Sequence, residues 1–531
     1  MPQMLGYLLL VLHAHLPFVR HPEHARFLEE SWLFEAITET YIPLLQLLET
    51  WERDGLEVKL TMSLTPTLCS MLEDPLLQQR YARRLDELIE LAGKEMERTV
   101  REPVFHELSM FYHGKLLVVR AFLHSRNHDL LGAFRGLQDR GRLEIMTSAA
   151  THAFLPFLAQ HSPSLRAQVL IARDHYLHCF GREPRGIWLP ECAYSAELEP
   201  ILHEAGLRWF IVETHGVLHA RPQPRGAIFA PLLTPNGLAV FGRDPDSAQQ
   251  VWSRERGYPA DARYRDFYRD IGFDLNFAYV EPYALAPNQR GFTGFKYYRS
   301  SNGSAQKQAY ARSAALEAAA EHAEHFIQAR RTQILKLDGI LGRPPVMVCP
   351  YDAELFGHWW YEGPEFLDCL VRKCCGDEKM LSIITPEDYL EKHPTLQVAS
   401  PAASSWGEGG YSGVWLNEKN EWIYSGLYRA QQRMTAMADQ VSQPAKVEKR
   451  ALNQAARELL LAQASDWPFM MRAGTSPEFA KQRVKEHLHN FARLIQEISS
   501  QNINAEWLRE IEAQNNLFPE LDYRYWASAS G

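Results

Sequence analysis

Residues 186–194 read GIWLPECAY, so that a short apolar run is followed at once by the carboxylate of Glu191. Residues 349–360 read CPYDAELFGHWW and have the same plan, because the apolar run Pro345–Cys349 precedes Asp352. Strands of parallel barrels end in this way, and the catalytic groups of such barrels lie at the carboxyl ends of the strands. The two stretches predict two buried strands of one sheet, each followed by an acidic side chain among aromatic residues.

Similar apolar runs recur along the chain and alternate with stretches of helical periodicity such as Phe34–Trp51 and Ser164–Phe180. The other predicted strands are Gly6–Leu12, Val58–Ser63, Leu143–Ser148, Trp209–Val212 and Leu238–Phe241. Alternating strands and helices predict a parallel sheet, and runs that are apolar throughout are typical of strands buried on both faces. About seven such strands favour an α/β fold built on an incomplete β/α barrel over an open sheet.

Two regions fall outside this alternation. Residues 75–138 are long, rich in helical patterns and without a strand, which predicts a helical insertion on the barrel. Residues 394–413 form a turn-rich linker, and the pattern beyond it is helical. We therefore expect a catalytic barrel over residues 1–395 and a helical C-terminal domain over residues 396–531 that contributes to the cleft.

Composition restricts the class of protein. The chain of 531 residues is 46% hydrophobic and 23% charged, which is typical of a globular protein. Its net charge of −9 argues against nucleic acid or a membrane surface as a partner, whereas a neutral polymer is compatible with it. Seven cysteines in no regular spacing predict reduced thiols and a cytoplasmic location. The apolar run Leu5–Leu12 lacks a preceding basic residue and is too short to span a membrane, so we interpret it as a strand.

The two carboxylates suit the chemistry of glycosidic bonds, which needs one nucleophile or base and one acid. Aromatic residues make up 11% of the chain, and its 13 tryptophans provide flat rings for stacking sugars. The competing interpretation is structural, because most of the 65 acidic residues must be solvated surface charges or salt-bridge partners.

His13 and His15 follow the first predicted strand and lie on the same side of an extended segment. Such a pair could bind a metal ion with His152 or a carboxylate as third ligand. Alternatively, the imidazoles could donate hydrogen bonds to sugar hydroxyls or to the catalytic carboxylates. The sequence has neither a CxxC nor an HExxH motif to favour the metal.

The helical region and the linker before it hold further candidates. Trp406 and Trp415 lie among glycines, which suits either platforms for a ligand or a plain hinge. Ser465 and Asp466 interrupt the helical pattern, and either residue could cap the next helix. Asp466 next to a tryptophan could equally contact a sugar.

Five strings resemble motifs of glycoside hydrolase family 57. They are residues 12–17 (LHAHLP), 148–156 (SAATHAFLP), 188–194 (WLPECAY), 350–360 (PYDAELFGHWW) and 463–468 (QASDWP). Within that family the pattern is most similar to the 1,4-α-glucan branching enzymes. The resemblance implies a (β/α)7 barrel, retention of the anomeric configuration, Glu191 as nucleophile and Asp352 as general acid/base. Retention requires the two carboxyl groups roughly 5–5.5 Å apart.

The resemblance also implies a set of glucan contacts, with no metal ion and no cofactor. These contacts are His13, His15, Trp32, His152, Trp406, Trp415 and Asp466. Residues 242–257, which include Trp252, should form a loop over the cleft, with Tyr258 as the nearest candidate for a residue that controls the acceptor. Arg265, Arg269 and Gly294 are expected to line the glucan groove.

The function expected from this resemblance is cleavage of an α-1,4-glucan such as amylose, glycogen or starch and its transfer to a 6-hydroxyl, by a monomer or dimer. An α-amylase or 4-α-glucanotransferase of the same family is the alternative within this chemistry. From other classes, a metal-dependent sugar deacetylase with an ion at His13, His15 and Asp352, or a non-catalytic glucan-binding protein, stays open.

Overall fold

The structure is a computed structural model that describes residues 6–253, 256–301, 307–337, 339–376 and 381–528. Within these ranges, no helix combines the length and the apolar character needed to cross a membrane.

Strands in the described part of the chain form a nearly complete ring. They are β1 (Gly6–Ala14), β2 (Leu60–Leu64), β3 (Leu143–Met146), β4 (Gly186–Ile187), β5 (Trp209–Val212), β6 (Leu232–Leu233), β7 (Ala239–Gly242), β8 (Val346–Asp352), β9 (Leu381–Ile383) and β10 (Gln397–Val398). One sheet has the order β3-β2-β1-β8 and the other includes β7-β5-β4, with all of these pairs parallel. Single parallel bridges, Thr147 to Ile187 and Arg243 to Val348, join the two sheets at both seams. Seven parallel strands thus enclose a barrel, which confirms the predicted (β/α)7 class.

Helices surround the ring and follow its strands. Those before the linker are α1 (Glu30–Ala36), α2 (Ile42–Arg53), α3 (Pro66–Glu73), α4 (Pro75–Thr99), α5 (Pro103–Ser125), α6 (Leu130–Asp139), α7 (Leu155–Leu158), α8 (Ser162–Phe180), α9 (Glu199–Glu204), α10 (Thr214–Leu218), α11 (Pro245–Trp252), α12 (Ile271–Asp274), α13 (Phe277–Val280), α14 (Arg312–Leu337), α15 (Gly363–Cys374) and α16 (Pro386–Lys392). Those after it are α17 (Trp422–Gln440), α18 (Lys446–Ala462), α19 (Asp466–Ala473), α20 (Pro477–Ser499) and α21 (Ala505–Gln514). Helices α4 to α6 occupy the region predicted as an insertion.

Strand β1 is buried on both faces, which explains its unbroken apolar sequence. Tyr7, Leu9 and Val11 pack with side chains from the other strands of the ring, whereas Leu8, Leu10 and Leu12 pack against the surrounding helices. Burial of each such side chain contributes about 1.5–3 kcal/mol to folding. The inward alternation continues to His13 at the mouth of the barrel, where it pairs in register with Ser63 of β2 and Asp352 of β8.

The segment predicted as one helix over Phe34–Trp51 is divided. A π-helical segment, Ile37–Tyr41, separates α1 from α2. The extra residue in this turn directs two polar side chains inward, since Glu39 bonds to Arg265 and His358 and Tyr41 donates to Glu354. Such π segments occur often at functional sites.

Strand bounds also differ from the predictions. Strand β8 continues through Pro350 to Asp352, whereas β4 stops at Ile187, two residues early. The short strands β6 and β10 were not predicted, because two-residue strands carry no periodicity.

The chain after β10 crosses the barrel mouth before the last five helices. Isolated antiparallel bridges join Tyr194 to Ser404 and Ala153 to Ala464. These contacts bring residues of the helical region against the loops after β3 and β4. The division of the chain at residues 395/396 stays a prediction.

Candidate active site

Glu191 lies in a tight turn, Pro190–Cys192, directly after β4 and Trp188-Leu189. Its φ is +62° and that of Cys192 is +49°, a left-handed conformation that side chains other than glycine rarely adopt. Each such residue costs on the order of 1–3 kcal/mol and persists only where surrounding contacts impose it. One of these contacts is the backbone N–H of Trp406, which donates to the Glu191 carbonyl at 2.9 Å. The strained turn directs the carboxylate into the barrel mouth.

Two donors hold the Glu191 carboxylate. Trp406 Nε1 donates to Oε2 at 2.7 Å, and Ser465 Oγ donates to Oε1 at 2.8 Å. The residue is 9% exposed, and burial raises the pKa of its carboxyl to about 7 against the opposing effect of these two hydrogen bonds. Both donors favour the ionised form, which is the form that a nucleophile needs.

Asp352 ends β8 and has a different environment. No side-chain hydrogen bond to its carboxyl occurs among the described residues, and the residue is only partly buried. Burial raises the pKa of Asp352 to about 6. A sugar in the cleft would exclude water from this more open carboxyl and raise its pKa further, whereas the carboxylate of Glu191 keeps its two donors. In this structure the pKa of Glu191, about 7, is still above that of Asp352, about 6, so the division of acid and nucleophile depends on the rise in the pKa of Asp352 that a bound sugar brings.

Three imidazoles stack beside Glu191. The rings of His15 and His152 lie 3.8 Å apart, and His13 lies 4.5 Å from the indole of Trp188. Burial, together with the neighbouring His15, holds the pKa of His13 and of His152 well below the usual value. Burial acts in the same direction on His15, but Asp466, 3.0 Å from its Nε2, reverses this and raises its pKa.

One group among the described residues has the composition of a metal site. Ligand atoms of His15, His152 and Asp466 all lie within 4.8 Å of one another. However, His15 bonds through Nδ1 to Thr65 and through Nε2 to Asp466, while His152 bonds through Nε2 to His13 and through Nδ1 to Ser465. Every ring nitrogen of His15 and His152 thus has a side-chain partner in this structure, and for two of these nitrogens the partner, Asp466 or His13, is itself a candidate ligand.

The predicted aromatic contacts separate into two kinds. Trp406 is half-buried, lies edge-on to Trp188 at 5.2 Å, and borders the carboxylate of Glu191. Trp415 is 1% exposed and packs on Phe154, so it supports the site from behind and offers no face to a ligand in this structure. Trp32 is half-buried and edge-on to Phe479 at 5.7 Å.

Three residues were predicted to line the glucan groove, namely Arg265, Arg269 and Gly294. Within the described ranges, none of them contacts Glu191. Arg265 is buried, pairs with Glu39 at 3.0 Å and donates to the Gly294 carbonyl at 3.1 Å. Arg269 pairs with Asp274 at 2.7 Å on the surface. The guanidinium groups are thus occupied by protein partners.

Within the predicted loop over residues 242–257, Pro245–Trp252 form helix α11, and Trp252 at its end is 45% exposed. Arg254 and Glu255 lie outside the described residues. Tyr258 is buried and its hydroxyl hydrogen-bonds to His325 of α14 at 2.8 Å. The hydroxyl of Tyr258 is therefore engaged with α14 in this structure, and its role at the acceptor stays a prediction.

Ser465 is the contact that the sequence did not predict. It precedes α19 but makes no side-chain cap to that helix, because its hydroxyl is committed to Glu191 and His152. Sequence spacing gives no signal for a partner 274 residues away. The string QASDWP was the only indication that this position matters.

Residues 9–401 match the family described as glycosyl hydrolase family 57, and residues 426–526 match the C-terminal region of 1,4-alpha-glucan branching enzymes. The branching enzyme TK1436 of Thermococcus kodakarensis is 32% identical over 97% of this chain and 78% of its own. The α-amylase AmyC of Thermotoga maritima superposes with a TM-score of 0.93 at 41% identity, covering 100% of both chains. A branching enzyme structure from Pyrococcus horikoshii gives a TM-score of 0.88 at 33% identity, covering 99% and 98%.

Proposed function

The chain belongs to glycosyl hydrolase family 57, and we propose that it is a 1,4-α-glucan branching enzyme that cleaves an α-1,4 linkage and transfers the segment to a 6-hydroxyl. Its similarity to branching enzymes over nearly the whole chain and the match of its C-terminal helices to theirs support this activity. The seven unpaired cysteines support a reducing, cytoplasmic compartment.

The proposed reaction has two steps. The Glu191 carboxylate attacks the anomeric carbon while Asp352 donates its proton to the departing 4-oxygen, and a covalent glycosyl-enzyme forms. Asp352, now ionised, then takes the proton of an incoming hydroxyl, which attacks the anomeric carbon and releases Glu191. Two inversions give net retention. Each carboxylate oxygen of Glu191 keeps a lone pair for the attack, because Trp406 and Ser465 each occupy only one.

The observation that carries this assignment is the contrast between the two carboxyls. Glu191 accepts two hydrogen bonds that stabilise its charge, whereas the carboxyl of Asp352 accepts no side-chain hydrogen bond from the described residues and is only partly buried. A pair of carboxyls with unlike environments is how enzymes divide nucleophile and acid between chemically similar groups.

The fate of the intermediate separates the activities within the family. A 6-hydroxyl acceptor gives an α-1,6 branch, a 4-hydroxyl gives disproportionation, and water gives hydrolysis. Hydrolysis is the second candidate, because the Thermotoga α-amylase is similar over its full length. A deacetylase is disfavoured, since the nitrogens of His13 and His15 are engaged in hydrogen bonds.

The test is proton NMR of amylose incubated with the enzyme, with new reducing ends assayed in parallel. We expect a growing α-1,6 anomeric signal with few new reducing ends, and no turnover by the matched Glu191→Gln variant. Reducing ends without that signal would replace branching by hydrolysis. Activity lost to a chelator and restored by a divalent ion would instead favour a metal-dependent reaction.

A further inference from the structure

We propose that Ser465, in the helical C-terminal region, is a positioning residue for the Glu191 carboxylate. It is the last donor in a chain of hydrogen bonds that runs in one direction from Ser63 through His13 and His152 to Ser465 and then to Glu191. This inference rests on the proposed function, in which Glu191 is the nucleophile.

The chain of hydrogen bonds is continuous from Ser63 to Glu191. Ser63 Oγ lies 3.1 Å from His13 Nδ1, and His13 Nε2 lies 3.1 Å from His152 Nε2. His152 Nδ1 lies 2.9 Å from Ser465 Oγ, which lies 2.8 Å from Glu191 Oε1. Apart from the carboxylate, every member is at most 3% exposed, so water does not compete for these bonds.

The number of donor hydrogens on each side chain fixes the direction of the hydrogen bonds. An ionised carboxylate only accepts, so Ser465 must donate its single hydroxyl proton to Glu191 and accept from His152 Nδ1–H. A neutral imidazole has one N–H, so His152 Nε2 must accept from His13 Nε2–H. His13 Nδ1 then accepts from the hydroxyl of Ser63. Each ring is thereby limited to one tautomer, and both rings must be neutral, in line with the lowered pKa of His13 and of His152.

Backbone contacts hold Ser465 in place independently of its hydroxyl. Its N–H donates to the His152 carbonyl at 3.0 Å, and the adjacent residues Ala153 and Ala464 form an antiparallel bridge. His152 has a φ of +55°, a further left-handed residue at this junction. Since the residue that holds His152 also bonds to Glu191, the loop after β3 and the start of α19 act on the nucleophile as one unit.

The hydrogen bond from Ser465 should have a measurable effect on the pKa of Glu191. Removal of the Ser465 hydroxyl leaves Glu191 with one donor, Trp406, and leaves His152 Nδ1–H without an acceptor. The ionised carboxylate then becomes less stable, so the pKa of the nucleophile rises. We expect kcat to fall about tenfold on the acidic limb of its pH profile, because kcat reports the groups of the enzyme–substrate complex and the loss of one hydrogen bond to a charged group is worth about one pKa unit.

The remaining charges around the nucleophile stay constant in this comparison. The titratable groups that face Glu191 are His152 at 3.7 Å, His15 and Asp466, and Arg243 lies over the ring of Trp406 at 5.5 Å. Because Ser465 carries no charge, its substitution changes none of them, and a shift of the limb reports the lost donor.

The experiment compares the pH profiles of transfer by the full-length parent, Ser465→Ala and Ser465→Thr. The matched control is Ser404→Ala, because Ser404 is a buried serine near the site whose hydroxyl has no hydrogen-bond partner among the described residues. We expect the acidic limb to move by about one pH unit toward higher pH in Ser465→Ala, with KM nearly unchanged. Ser465→Thr should restore the parental limb, and Ser404→Ala should not move it.

The outcomes separate this inference from the proposed function. If Glu191→Gln is inactive but Ser465→Ala keeps the parental limb and rate, Ser465 is only structural. If Glu191→Gln is active, the assignment of the nucleophile fails first. If Ser465→Ala does not fold, Ser465→Cys takes its place, because the thiol has a similar size to the hydroxyl but is a weaker donor. The acidic limb of the pH profile must then move in Ser465→Cys for the inference to stand.

Discussion

Replacement of Glu191 by glutamine should abolish turnover and at the same time stabilise the folded protein at neutral pH. The folded state keeps this carboxyl in a buried site, and its pKa is raised from 4.5 to about 7, chiefly by burial. A raised carboxyl pKa means that the folded state binds the proton more tightly than the unfolded chain does. The ionised group therefore costs stability above its unfolded pKa, and the cost reaches its full size above the folded pKa.

The magnitude follows from the size of the shift. One pKa unit corresponds to about 1.4 kcal/mol, so the full cost of the ionised carboxyl is about 3 kcal/mol once it is charged in both states. At about pH 5.5 the cost is about 1.4 kcal/mol, and at about pH 8 it is nearly complete. Because an amide does not titrate, the advantage of Glu191→Gln over the parent should grow by about 2 kcal/mol between these two pH values. A change in packing is independent of pH and cancels in this difference.

The assay is urea unfolding followed by tryptophan fluorescence and far-ultraviolet circular dichroism, with refolding checked, on parent and variant at both pH values. Glu144 provides a matched control, because burial also raises its pKa to about 7 and it lies at the start of β3, away from the barrel mouth. Glu144→Gln should gain stability with the same pH dependence and keep its activity. A difference between Glu191→Gln and parent that is equal at both pH values would refute the raised pKa of the nucleophile.

Asp352→Asn should lower transfer to amylose at least about 100-fold, because the leaving 4-oxygen loses its acid; initial rates near those of the parent would remove Asp352 from this role. Trp406→Phe keeps a ring but loses the Nε1 donor to Glu191, so kcat should fall about tenfold with little change in KM, and a rise in KM alone would indicate that the indole acts only by stacking. Trp415→Ala should lower the free energy of unfolding by about 3–5 kcal/mol, since this side chain is fully buried against Phe154; urea unfolding measures this, and parental stability would contradict it.

The barrel could be predicted from the sequence because its strands are buried on both faces and therefore read as unbroken apolar runs between helices. The positions of Glu191 and Asp352 followed from where those runs end. Local features that depend on tertiary partners were not visible in the sequence. The π-helical segment Ile37–Tyr41 looks like ordinary helix in sequence, because its cause is a set of polar partners, Arg265, His358 and Glu354, that are distant along the chain.

Tyr258 and Ser465 are two further residues whose hydrogen-bond partners could not be predicted from the sequence. Tyr258 was singled out by its place in the chain alone, which gave no sign that its hydroxyl bonds to His325 of α14. Ser465 had a local explanation as a helix cap, yet its hydroxyl serves Glu191 and His152. In both cases the polar partner is distant along the chain, which short-range reasoning does not capture.

The alternation of inward-facing and outward-facing residues along β1 connects the stability of the barrel with its chemistry. The inward residues of β1 are Tyr7, Leu9 and Val11 within the core and then His13 at the mouth, so the same two-residue period that fills the barrel also delivers the first imidazole of the hydrogen-bond chain. A shift of β1 by one residue against β2 or β8 would bury Leu12 or Ala14 in place of His13 and separate His13 from both Ser63 and Asp352. The apolar contacts that fix the register of β1 therefore also fix the tautomers beside the nucleophile. It follows that conservative changes at Leu9 or Val11, which touch no substrate, should act on catalysis through the alignment of His13.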